Sequence, residues 1–91
     1  MAKKKCYLIS YDHSGDDYEP LYKAIKDLGA WAHLTESSWA VFSDAKAERI
    51  RKGLQKHLAK GSRLIVALYG GEGSWFNLKC QFKGWLEKNR K

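Results

Sequence analysis

The chain has 91 residues, 44% of them hydrophobic, and 17 Lys and Arg against 10 Asp and Glu give it a formal charge of +7. That length sets one small domain, residues 1–91, with a thin core of the kind often reinforced by a second copy. No apolar run approaches the about 18 residues of a membrane span, so no membrane partner is expected, and the charge favours DNA or RNA while also serving ordinary solubility.

The basic start MAKKK leads into an apolar stretch too short for a signal peptide, so residues 5–11 read as a first strand. Tyr7, Ile9 and Tyr11 take one face, and Cys6, Leu8 and Ser10 the other. Asp12 ends the strand, and His13, Ser14 and Gly15 turn the chain. Asp17 is placed as an N-cap, Asp16 complements the helix dipole, and Pro20 sits in the first turn, where its missing N–H costs little. Leu21, Ala24, Ile25 and Leu28 follow at helical spacing, with Gly29 as the stop.

Residues 30–34 (AWAHL) and 38–42 (SWAVF) are two short strands joined by a hairpin at Thr35, Glu36 and Ser37. Ser43 or Asp44 caps a second helix whose inner face is Ala47, Ile50, Leu54 and Leu58, ended by Gly61. Residues 63–69 (RLIVALY) form a fourth strand. GGEGSW is a turn-rich loop that lets Trp75 pack back, and residues 80–89 form a short helix using Phe82, Trp85 and Leu86. The order β-α-β-β-α-β plus a C-terminal helix predicts a ferredoxin-like α+β fold, a four-stranded antiparallel sheet with its first two helices on one face. Both faces of the first and fourth strands are largely apolar, whereas a sheet with one wet face alternates. The face away from those helices therefore needs the C-terminal segment, a second subunit or stacked bases.

Asp12 is the leading chemical candidate. A carboxylate at a strand end can hold a hard cation such as Mg²⁺ or Mn²⁺, although one carboxylate binds it weakly and two copies across a dimer axis bind it better. The simpler alternative is that Asp12 accepts backbone hydrogen bonds in its turn. His13 is either a general base or a solvated turn residue. His33 and His57 lack partners at zinc spacing, no serine sits in a G-x-S-x-G elbow, and GGEGSW lacks the lysine of a phosphate loop. Lys46, Arg49, Lys52, Lys56 and Lys60 gather on one side of the second helix, as a phosphate-tracking stripe or as a solvated face. Lys3 to Lys5 and residues 88–91 add basic ends. Cys6 and Cys80 have no metal-ligand spacing and fit a reducing cytoplasm.

The stretches YLISYD, LYKAIKDLGAWAH, ESSWAV, RLIVALYGGEGSW and WLEKN resemble small bacterial and phage proteins of the SinR family over nearly the whole chain. Through Tyr11-Asp12, Leu28-Gly29 and ESSWAVF the chain is also similar, more loosely, to the Cas-two-like nucleases of CRISPR adaptation and to VapD toxins. That resemblance implies a ferredoxin-like homodimer with Asp12 as metal ligand near the dimer axis. The leading expectation is a Mg²⁺- or Mn²⁺-dependent endonuclease with Asp12 as ligand and His13 or Ser14 positioning the attacking water. The chain departs from the nuclease pattern at GDDYE, acidic where those proteins carry arginines. The alternative expectation is a non-catalytic dimer that binds nucleic acid or a protein, as a phage or mobile-element accessory.

Overall fold

The computed structural model describes residues 3–13, 15 and 17–89. Its elements are β1 (Lys5–Asp12), α1 (Glu19–Lys26), β2 (Trp31–Thr35), β3 (Ser38–Ser43), α2 (Ala47–Gln55), β4 (Arg63–Leu68) and α3 (Phe82–Asn89). The strands form one antiparallel sheet in the order β2-β3-β1-β4. The described residues form a small α+β domain with three helices, compatible with the ferredoxin-like pattern.

The alternation read from β1 separates two cores. Tyr7, Ile9 and Tyr11 join Trp39 and Val41 of β3 beneath Leu21 and Ile25 of α1 and Ile50 and Leu54 of α2. On the reverse face, Cys6, Ala32, Leu34, Ala40 and Phe42 lie under Phe82 and Leu86 of α3. Each strand thus contributes side chains to opposite faces at its period of two, and burial on both sides explains the absence of a polar stripe. The C-terminal segment holds its position through the Lys79 N–H, which donates to the Leu34 carbonyl (3.0 Å), and through a Lys79–Glu36 ion pair (3.1 Å) at the β2–β3 hairpin.

The cover on the reverse face is incomplete. In the ladder, Ile65 stands opposite Ser10 and Ala67 opposite Leu8, on the α3 side of the edge strand β4. Ile65 remains 61% exposed. Leu68, opposite Tyr7 on the other face at the far end of β4, is 57% exposed, and Phe76 in the following loop is 91% exposed. Trp39 is a core residue at 1% exposure and Trp85 is half-buried. Trp31 and Trp75 are exposed, Trp31 under the Lys26 ammonium (4.8 Å) and Trp75 edge-on to Phe82 (4.8 Å).

Helix ends differ from the sequence expectation in instructive ways. The residue before α1 is Tyr18, which makes no side-chain cap, and Asp17 works from one position earlier, its carboxylate accepting the Glu19 N–H at 3.1 Å. Asp16, Arg90 and Lys91 lie outside the described residues. Ser43 likewise accepts the Ala45 N–H (3.1 Å) ahead of Lys46, the true start of α2. α2 ends at Gln55, so Leu58 reaches the first core from the following turn, and His57 is not helical.

Gly29 links α1 to β2 with φ +151°, and the Phe42 N–H donates to the neighbouring Ala30 carbonyl at 2.9 Å. A Cβ on Gly29 would collide with the Phe42 carbonyl oxygen, a backbone atom that cannot swing away. Gly29→Ala should therefore cost about 2 kcal/mol or more in urea unfolding, whereas Gly53→Ala, where a Cβ meets no atom, should not lower stability. An unchanged midpoint for Gly29→Ala would show that this turn tolerates another path.

Candidate functional site at the end of the first strand

Asp12 lies at the exposed end of β1, opposite Arg63 in the ladder with β4. Among the described residues, no hydrogen bond or ion pair engages its carboxylate. It borders two clefts. One, about 260 Å³, is an open trough along the β1–β4 edge walled by Ser10, Arg63 and Ile65. The other, about 530 Å³, lies on the α1 side and is lined by His13, Tyr18, Tyr22, Glu36 and Ser37.

The strand end is held in place by Tyr11. Its hydroxyl accepts the Trp39 Nε1–H at 3.0 Å and lies 3.5 Å from the Glu36 carbonyl, to which it donates. Burial pushes the phenol well above its ordinary pKa, with the Trp39 bond opposing that rise, so Tyr11 stays neutral and acts as an anchor. Around it runs a chain of rings. Tyr18 meets His13 edge-on (4.9 Å), Tyr22 packs on Trp39 (5.3 Å), and His33 stacks flat on Trp39 (4.0 Å, 9°). Such contacts fix β1, β3 and the start of α1 relative to one another.

His13 is half-buried, with both ring nitrogens engaged. Nε2 lies 3.2 Å from the Asp17 carbonyl, an acceptor, so Nε2 carries the hydrogen. Nδ1 accepts from the Ala59 N–H and the Ser62 hydroxyl, each at 3.4 Å. In this arrangement the neutral ring ties the β1–α1 turn to the segment between α2 and β4. Gly15 belongs to the same junction, because a Cβ there would press on the His13 ring and Ala59. Ser14, the other candidate for positioning water, lies outside the described residues.

Among the described residues no three His, Cys, Asp or Glu side chains are grouped to hold a metal ion. A hard divalent cation takes six or more oxygens, so Asp12 of one chain is an incomplete site that needs waters, phosphate oxygens or a second carboxylate.

The basic stripe is only partly assembled. Lys46, Arg49 and Lys52 share a shallow groove on α2, but Glu48 lies among them and pairs with Lys52 (3.3 Å). Lys56 is the residue after the helix, and Lys60 lies beyond it, lining a separate cleft with Arg51 and Ser62. The five side chains therefore do not form one continuous helical face, because α2 stops before its pattern does. Arg63 and Ile65 were not among the sequence candidates. Only strand register places them beside Asp12, and no local motif signals it.

No protein-family model matches the chain, and no curated protein gives a significant match. The chain does resemble a solved structure, that of a hypothetical protein, TT1823, from Thermus thermophilus. The TM-score is 0.66 at 21% identity, over 81% of this chain and 92% of that one. Likeness at that identity is likeness of fold. Among the described residues no helix is long and apolar enough to cross a membrane.

The split of the stripe sets a quantitative expectation. Lys52→Glu combined with Lys56→Glu should reduce affinity for a mixed-sequence duplex or single strand and lower the salt slope by roughly one unit per lost contact. Both side chains are exposed, so folding should be little affected. Unchanged affinity and slope across several salt concentrations would mark α2 as a solvated face.

Proposed function

We propose that the chain is a ferredoxin-like, Cas-two-like nucleic-acid-binding homodimer of the SinR type, with Asp12 as a ligand for Mg²⁺ or Mn²⁺ and divalent-ion-dependent phosphodiester cleavage as its activity. The observation that carries this reading is the placement of an exposed carboxylate, unengaged among the described residues, at the margin of the uncovered sheet face, in the trough with Ser10, Arg63 and Ile65. A second copy laid over Ile65 and Ala67 would remove apolar surface from water at roughly 25 cal/mol per Å². A two-fold axis near that patch would also bring two Asp12 carboxylates towards one another and supply the second ligand that one chain lacks. When bound there, the ion would lower the pKa of a water and neutralise phosphate charge. Arg63 opposite Asp12 is suited to hold a phosphate oxygen. With its ring nitrogens engaged, His13 supports the turn that carries Asp12, and a role for it or Ser14 in positioning water is a finer part of the proposal.

Cys6 and Cys80 are not in a disulfide, and burial pushes the Cys80 thiol to a higher pKa, which fits a reducing cytoplasm. A second reading, a non-catalytic dimer that binds nucleic acid or a protein partner, is favoured by one specific feature. Asp12, Asp17 and Glu19 are all exposed between the end of β1 and the start of α1, at this end of the sheet, where they repel a phosphate backbone.

Two measurements test the proposal. Asp12→Asn should abolish Mg²⁺- or Mn²⁺-dependent cleavage of a labelled oligonucleotide while shifting the melting temperature little, since the carboxylate is exposed. Full activity in the variant, or activity that persists in EDTA, removes the metal role, and no cleavage by the native chain favours the binding reading. Sedimentation at micromolar concentration should give a dimer, and Ile65→Glu a folded monomer. A monomeric native chain would overturn the shared interface.

A further inference from the structure

At the opposite end of β1 from Asp12, roughly 23 Å away at the usual strand rise, lies a cleft of about 310 Å³ with a different character. Lys3, Lys4 and Lys5 all line it, and no carboxylate does. Beyond the end of β4, Gly70 and Gly71 complete the wall. Gly71 has φ +102°, and a Cβ on either glycine would meet no atom within 4 Å, so this backbone is bare and open to a ligand. The floor is apolar. Leu68 is exposed, Phe42 is buried, and Tyr69 is fixed by its N–H bond to the Cys6 carbonyl (2.9 Å) and by Phe82 at 6.0 Å.

Three lysines lining one cleft beside an unobstructed glycine backbone suit a phosphate, which accepts several charge-assisted hydrogen bonds. A bare inorganic anion would leave the floor unused, and a wholly apolar ligand would leave the lysines unused. The volume is at the small end of ligand clefts, about 300 Å³, the scale of one nucleotide. We propose that this cleft binds the phosphate of a nucleotide, held by Lys3, Lys4, Lys5 and the Gly70–Gly71 backbone, with the base against Leu68 and Tyr69. The ligand is a free mononucleotide or the phosphorylated end of a single strand, since both present the same group. The site is separate from Asp12 and does not rest on the reading above.

The test is titration of the full chain with 5′-AMP, adenosine and inorganic phosphate, followed by calorimetry and by the amide resonances of Gly70 and Gly71. AMP should bind and shift those two amides, with adenosine and inorganic phosphate each about tenfold weaker or more. The triple variant Lys3→Ala/Lys4→Ala/Lys5→Ala should weaken AMP by a similar factor without changing thermal unfolding, because all three residues are exposed. AMP binding no tighter than adenosine or inorganic phosphate, retention of AMP affinity in the triple variant, or shifts confined to other amides would each overturn the site. A lysine-dependent preference for a 5′-phosphorylated over a 5′-hydroxyl oligonucleotide supports it and identifies the strand end as source. Lysine-dependent AMP binding without that preference supports it and identifies the free nucleotide. Asp12→Asn should leave AMP binding intact, so failure of the cleavage reading and failure of this one are told apart.

Discussion

The structure depends on a sheet that is apolar on both faces and must be covered twice. β1 sits between β3 and β4 and sends Tyr7, Ile9 and Tyr11 into one core and Cys6 and Leu8 towards the other. A chain of 91 residues has little material for two layers. α1 and α2 cover the first face well. α3 and its leading segment cover the second from the β2 side and leave the β4 edge bare. The exposed Ile65 follows from that shortage of cover, and the neighbourhood of Asp12 takes its character from it.

Position along β1 then separates the chemistry. The strand begins in lysines and ends in Asp12, and the antiparallel pairing sets Arg63 beside the acidic end and the glycine-rich turn beside the basic end. A net charge of +7 therefore hides two unlike ends. For a polyanion this arrangement is directional, since attraction acts at the lysine end and repulsion from Asp12, Asp17 and Glu19 acts at the other.

Rigidity at the acidic end comes from aromatic and histidine contacts. The Trp39–Tyr11 hydrogen bond is buried, where an unpaired indole N–H or phenol is costly, so the two groups hold one another's rotamers. His13 adds a polar strut to the loop after α2. This frame fixes the backbone at Asp12, the last residue of β1.

The sequence by itself determined the element order, the two-faced burial of β1 and the inward faces of α1 and α2, because these follow from local periodicity, whereas α1 ends at Lys26, ahead of the stop expected at Gly29. It also singled out Asp12 as a strand-end acid. The tertiary structure alone decided that Arg63 and Ile65 flank Asp12, that His13 reaches Ala59 and Ser62, and that Lys3 to Lys5 meet Gly70 and Gly71, since each pairing joins segments tens of residues apart through strand register. It likewise shortened α2 and dispersed the expected lysine stripe: a helical pattern shows which side chains would share a face if the helix continued, whereas its actual end is set by where the chain must turn to enter β4.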